Sequence, residues 1–303
     1  MRSAVLLVLV ATYGQQVTIE PRVRAAPKDS ATRAPNLRID TNLVLVPVTV
    51  TDQAGRPVLG LEKENFRVQD NRVEQTVLQL AMEDDPVAVG FVFDVSGSIG
   101  TDLTQYRLAA HQFFKFADEQ DEFFLVVFRD SPTLAVPLTR NAGSIDYQIM
   151  MTKSQGWTAL FDAVYMGTNE IRKSALIKKA LIVISDGGEN HSRYRLSELE
   201  NALRETDALL YAIGPGPSSQ GGGLLKHLAE FTGGRLIQYD GSRIEDLAQK
   251  IIVDLRNRYV ISYAPKDVQR DGKYHDIHVQ LLAPKGMGKL TAHWRKGYYA
   301  PAQ

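Results

Sequence analysis

Residues 91–98 read Phe91-Val92-Phe93-Asp94-Val95-Ser96-Gly97-Ser98, the end of an apolar run that begins at Val87 and stops abruptly in a carboxylate and two hydroxyls. A near-continuous apolar stretch with Val89, Val92 and Phe93 suits a strand covered on both faces, as in a parallel sheet. The carboxylate falls at the carboxyl end of that strand, where open α/β sheets bind ligands. Asp94, Ser96 and Ser98 offer only hard oxygen donors, so the ion they suit is Mg2+, Mn2+ or Ca2+.

Downstream of Ser98 the pattern alternates between helix and strand. Leu103, Tyr106, Ala110, Phe113, Phe114 and Ala117 recur at helical spacing. Strands are predicted at 122–128, 133–136, 179–184, 208–213 and 235–239, and helices at 144–151, 160–173, from Ser197 to Thr206, 221–231 and from Ser242 onward. Ser197 with Glu200, and Ser242 with Glu245, have capping-box spacing. This order defines a doubly wound, Rossmann-like α/β domain over residues 85–256.

Both flanks read as strands. Val44, Val46, Val48 and Val50 alternate on one face; Phe66 to Val73 reads as a hairpin turning at Asp70-Asn71; and Thr76 to Ala81 adds a further strand. After Arg258 come 259–263, then 274–281 with Ile277, Val279 and Leu281 alternating, then 290–294. Neither flank, 38–84 or 257–300, is large enough to bury a core alone. The economical arrangement is a small antiparallel β-sandwich built from both, with the α/β domain inserted in it.

Lys plus Arg equals Asp plus Glu, 35 each, so no global field attracts nucleic acid. The absence of cysteine excludes disulfides, thiolate metal sites, a cysteine nucleophile and a lipoprotein anchor. Met1-Arg2-Ser3 followed by apolar residues 4–11 resembles a secretory signal over residues 1–16, with a buried N-terminal strand as the alternative. Residues 17–37, polar and proline-bearing, read as a disordered segment of an exported, periplasmic or extracellular protein. No run is long enough for a transmembrane helix.

By composition a D-x-S-x-S string arises in roughly one chain in ten of this length, so alone it means little. Two further pieces give it force: Trp157-Thr158-Ala159-Leu160 places a hydroxyl before a helix, and Ser185-Asp186-Gly187-Gly188 places a carboxylate after a second buried strand. With these three motifs the chain resembles a von Willebrand factor type A domain over residues 85–256, the family that includes integrin inserted domains. The resemblance implies a metal-ion-dependent adhesion site, with Ser96, Ser98 and Thr158 touching the metal and Asp94 and Asp186 acting directly or through water. The flanks, including Arg295-Lys296-Gly297-Tyr298-Tyr299, resemble a bacterial exported subgroup related to this domain.

The expectation is a non-enzymatic binding protein in which Mg2+ or Mn2+, ahead of Ca2+, captures an Asp or Glu of a protein partner. The alternatives are a metal-dependent hydrolase and a metal-free scaffold. Asp94 and Asp186 also suit local turn capping, and Thr158 suits a helix N-cap. Trp157, where the family has a small residue, reads as a partner contact or as packing. His191, Ser192 and Arg193 read as partner contacts or as solvated loop. His278 and His293 fall on polar strand faces and read as exposed, and Gly221-Gly222-Gly223 reads as a flexible helix entry.

Overall fold

A computed structural model of the chain describes residues 43–82, 85–206, 208–238, 244–266 and 271–302. The signal-like segment, residues 17–37, the Tyr239 end of one strand and Ser242 of the second capping box lie outside them. Among the described residues, no helix is long and apolar enough to cross a membrane.

The N-terminal flank contributes β1 (Val44–Thr51), β2 (Phe66–Asp70), β3 (Val73–Gln75) and β4 (Gln79–Met82). The C-terminal flank contributes β11 (Tyr259–Tyr263), β12 (Tyr274–Leu281), β13 (Thr291–Trp294) and β14 (Gly297–Tyr299). They interleave into two four-stranded sheets, ordered β13-β1-β11-β4 and β14-β12-β2-β3. Every pairing is antiparallel, and β1 has both its neighbours, β11 and β13, from the far flank. Val44, Val46, Val48 and Val50 point into one core with Phe66, Val68, Tyr259, Ile261, Tyr263, Ile277 and Val279. The second half of β1 is buried on both faces, since Thr49 and Thr51 are also covered.

Asp70, buried at the end of β2, joins the two sheets. Its Oδ2 accepts hydrogen bonds from the hydroxyls of Tyr263 and Tyr298, both at 2.9 Å. Its Oδ1 lies 3.1 Å from Nδ1 of His275. These partners sit on β11, β14 and β12, so one carboxylate gathers four strands from both flanks.

The hairpin turns one residue later than expected. Val73 pairs with Asp70, and the turn residues are Asn71 and Arg72, with φ of 46° and 68°. Two left-handed residues match the twist of a two-residue hairpin, and Asn tolerates this conformation better than Arg does.

Between the flanks, β5 (Val87–Asp94), β6 (Glu122–Phe128), β7 (Pro132–Thr139), β8 (Lys178–Ile184), β9 (Leu209–Gly214) and β10 (Leu236–Gln238) form one sheet. Its order is β10-β9-β8-β5-β6-β7, parallel throughout except for β7 at one edge. The helices are α1 (Leu103–Phe114), α2 (Ala142–Met151), α3 (Leu160–Ile171), α4 (Leu196–Arg204), α5 (Gln220–Thr232) and α6 (Ile244–Arg256). Val87, Val89, Phe91 and Phe93 pack with α1, α2 and α6 on one face of the sheet. Ala88 and Val92 pack with α3, α4 and α5 on the other. Gly90 belongs to that second face because a Cβ there would come within 2.0 Å of the Phe124 ring.

α4 starts before the expected box: Arg195 precedes it, with the Arg195 amide donating to Glu198 Oε2 at 2.8 Å. The N-cap of α3 is Ala159 rather than Thr158. His293 is only partly exposed, contrary to expectation: burial, then Arg235 and Lys296, push its imidazole down to about 4. It belongs to the seam between sheet and domain, where Arg235 pairs with buried Asp254 at 2.5 Å and donates to the Gly55 carbonyl at 3.3 Å.

Two stability outcomes follow from the sandwich. Asp70→Ala strands two buried donors, Tyr263 and His275, and the half-buried Tyr298, and lowers unfolding free energy by about 3 kcal/mol, read as a drop in urea midpoint. Arg72→Gly relieves a left-handed side chain and raises it by about 1 kcal/mol.

Candidate metal centre

β5 leads to β6 on one side and β8 leads to β9 on the other, so the chain reverses direction across the sheet between β5 and β8. That is the topological switch point, where strand ends leave an open crevice. Asp94 closes β5, and Asp186 stands two residues beyond Ile184, the end of β8.

Asp94 is fully buried, and both its oxygens are held. Oδ1 accepts from the Ser96 amide at 2.8 Å, and Oδ2 accepts from the Ser185 hydroxyl at 2.6 Å. Ser185 is fixed in turn, its Oγ accepting from the Gly187 amide at 2.9 Å. Ser96 and Ser98 bring their hydroxyls within 3.0 Å of each other. Asp186 Oδ1 accepts from the Gly188 amide at 2.8 Å. Thr158 lies on the same crest, since a Cβ on Gly188 would sit 3.1 Å from Asp186 Oδ1 and 3.6 Å from Thr158 Oγ1. Asp94 at the end of β5 and the loops carrying Ser96, Ser98, Thr158 and Asp186 thus lie at one edge of the sheet.

Backbone bonds lock those loops together. The Gly97 amide donates to the Gly156 carbonyl at 3.0 Å, and the Gln155 amide donates to the Val95 carbonyl at 2.8 Å. The amides of Asn190 and His191 both donate to the Thr158 carbonyl at 3.1 Å, and Asn190 Oδ1 accepts from the Thr158 amide at 3.0 Å. The first turn of α3 is capped from outside: Glu189 Oε2 accepts from the Phe161 amide and Ser192 Oγ from the Asp162 amide. The Thr158 hydroxyl is therefore not the cap that its position suggested.

Burial pushes the Asp94 carboxyl up to about 6 from an ordinary 3.8. Hydrogen bonds from Ser185 and Ser96 pull it down, while the negative charge of Asp186 adds to the rise. A buried carboxylate that feels a second negative charge is short of compensating positive charge. Two carboxylates with three hydroxyls suit a hard divalent cation, neutralising it while leaving coordination positions for water or a ligand. Among the described residues, no three His, Cys, Asp or Glu side chains converge, so a site here depends on hydroxyls.

Trp157 is 60 % exposed beside Thr158, and its ring stacks on His191 with centroids 6.5 Å apart. The Trp157 amide is pinned to Asp130 Oδ1 at 2.8 Å. Arg193 turns elsewhere, its Nε pairing with buried Asp162 Oδ2 at 3.1 Å. Ser185, Glu189 and Asn190 are the residues that motif reading did not select. Ser185 stood in a quoted motif, yet only the register of β8 beside β5 reveals its bond to Asp94.

The sheet is doubly wound, and carboxylates and hydroxyls stand at its switch point. Residues 89–189 match the model of the von Willebrand factor type A domain family. No curated protein matches the chain. Among solved structures, the chain is similar to an aerotolerance-related membrane protein from Bacteroides fragilis, at 16% identity and a TM-score of 0.46, over 56% of this chain and 98% of that one. It is similar to the vWF domain of the type V pili tip protein Mfa5 from Porphyromonas gingivalis, at 13% identity and a TM-score of 0.45, over 57% and 97% of the two chains. A third similar structure is proximal thread matrix protein 1 from the mussel byssus with a zinc-occupied MIDAS motif, at 19% identity and a TM-score of 0.48, over 61% and 49%.

Asp94 sets a pH dependence in the metal-free protein. Its folded carboxyl binds a proton more tightly than the unfolded one, so stability is highest below pH 4 on this account and falls as pH rises to about 6. Burial raises Asp254 to about 6 in the same way. His293, held down to about 4, works in the opposite sense, so the Asp94 share, of order 2–3 kcal/mol, is read as the difference between the native chain and Asp94→Asn in urea unfolding between pH 4 and 7.

Proposed function

We propose that the protein is a non-enzymatic binding module whose α/β domain holds a divalent cation, Mg2+ or Mn2+, through Asp94, Ser96, Ser98, Thr158 and Asp186. The observation that carries this reading is the fully buried Asp94 carboxyl, which feels the charge of Asp186 and is hydrogen-bonded to the loop that carries the Ser96 and Ser98 hydroxyls. When bound, the cation supplies an electrophilic point that an oxygen ligand can reach from solvent. The chain's own residues then do the rest: Ser185 orients Asp94, and the bonded loops hold Ser96, Ser98 and Thr158 in place before any ligand arrives. The partner is a protein that presents an Asp or Glu, with Trp157 and His191 forming the rim beside that contact. Arg193, tied to Asp162, shapes the rim by holding its loop. The signal-like residues 4–11 favour action outside the cytoplasm.

Binding is favoured over hydrolysis by how the nearby carboxylates are engaged. Glu189 accepts from the His191 and Ser192 amides through Oε1, and from the Phe161 amide and Ser192 hydroxyl through Oε2. A carboxylate with four donors is a poor general base.

Titration calorimetry with Mg2+ and Mn2+ tests the reading. One ion binds to the native chain, and Asp94→Ala and Ser96→Ala each abolish the heat. Ser185→Ala retains every donor but loses the orientation of Asp94, weakening affinity by about 10–100-fold. Below pH 6, protons compete for Asp94, so affinity falls by up to about tenfold per pH unit. Absence of binding to the native chain at pH 7.5 counts against the metal and in favour of a scaffold.

A further inference from the structure

Two of the three glycines 221–223, Gly221 and Gly222, are not a loose helix entry. A Cβ on Gly221 would come within 2.2 Å of the Asp186 carbonyl oxygen, and one on Gly187, at φ +78°, within 2.2 Å of the Gly221 carbonyl oxygen. The first turn of α5 thus lies backbone against backbone on the peptide that follows Asp186. A Cβ on Gly222 would meet the Gly216 carbonyl oxygen at 2.0 Å, which closes the same turn from its other side.

The opposite end of α5 is seated in the same manner on the sandwich. Gly233 caps the helix at φ +88°, and a Cβ there would lie 2.2 Å from the Trp294 carbonyl carbon and 2.5 Å from the Arg295 amide. The Trp294 indole donates to the Ile277 carbonyl at 3.0 Å, fixing that peptide to β12. Arg204 adds a second tie, its guanidinium 4.9 Å from the Phe231 ring of α5 and 5.2 Å from the Tyr274 ring of β12. Between these ends, Leu225, Leu228 and Ala229 are completely buried against the sheet. The helix rises about 18 Å from Gly221 to Gly233.

We propose that α5 is a rigid strut that sets the position of the Asp186 loop from the β13–β14 corner of the sandwich. Both contacts are between main chains, with no side chain that could change rotamer to absorb a displacement. A shift of the Trp294–Arg295 peptide is therefore passed along the helix to Asp186, and fixing Asp186 restrains the corner by the same linkage. The consequence for cation affinity rests on the function proposed above, whereas the coupling itself does not.

The test is residue-resolved amide hydrogen exchange on the full chain without metal. The amides of Gly187 and Gly188 donate to Ser185 Oγ and Asp186 Oδ1, so their protection reports the loop directly. Gly233→Ala forces a Cβ against the Trp294–Arg295 peptide, and Trp294→Phe removes the bond to Ile277 without adding bulk. Each variant is expected to accelerate exchange at Gly187 and Gly188 by about tenfold while β5 and β6 amides keep their native rates. Addition of Mg2+ to the native chain slows exchange at Tyr298 and Tyr299. Native rates at Gly187 and Gly188 in Trp294→Phe, or acceleration shared equally with β5, overturn the strut. Failure of Mg2+ to bind, with the variant effect intact, overturns the metal reading alone.

Discussion

A carboxylate with no solvent access terminates the central strand of the sheet, and the rest of the site is arranged around that fact. Asp94 cannot be ionised cheaply where it lies, because burial dominates over the hydrogen bonds from Ser185 and Ser96. Its neighbours supply donors to hold it, yet Asp186 adds charge of the same sign. Under the proposed function, a cation completes the balance. Functional sites commonly carry such a local penalty, and the surrounding fold keeps it in place. Here the fold does so with loops bonded main chain to main chain at Gly97–Gly156, Val95–Gln155 and Thr158–Asn190.

The sandwich has a comparable centre in Asp70. It too is a buried carboxylate, but its donors, Tyr263, Tyr298 and His275, come from both flanks and satisfy it without a ligand. Burial and the adjoining Asp70 carboxylate raise the Tyr263 phenol well above its ordinary range, keeping it a proton donor across the working pH range. Asp70 has no neighbouring carboxylate among its partners, whereas Asp94 feels the charge of Asp186, and that difference is what the proposed binding site rests on.

Much of this was legible in the sequence, for physical reasons that differ by element. The unbroken apolar run of β5 required cover on both faces, and helices supply it. Asp94 at its end could only sit at the sheet edge. The alternating valines of β1 fixed the core face of the sandwich, and the shortage of core on each flank forced the two to combine. What escaped reading depends on register and distant pairing. The turn at Asn71-Arg72 rather than Asp70-Asn71 is set by Asp70 being needed inside the core. Ser185 faces Asp94 only because β8 lies beside β5. His293 lies near Arg235 at a seam that no local pattern announces. The glycines of α5 carry no chemical signature, and their meaning is the close approach of two main chains.

The pairing of β1 has a consequence for the order in which the chain acquires structure. Both its hydrogen-bonded neighbours, β11 and β13, are synthesised more than 200 residues after it starts, as Val44 pairing with Tyr263 and Thr51 with Thr291 require. The α/β domain can condense as soon as its own strands are available, since all six are contiguous in the sequence between the flanks. Until the last flank emerges, β1 and β4 have no strand to pair with, and β2 has only its hairpin partner β3. The inserted domain then acts as the spacer that brings the two halves together, replacing a floppy closure of that length with a short one. Pairing of β1 thus waits on chain that follows the inserted domain, and a lesion that keeps that domain from bringing the flanks together leaves β1 an unpaired edge strand.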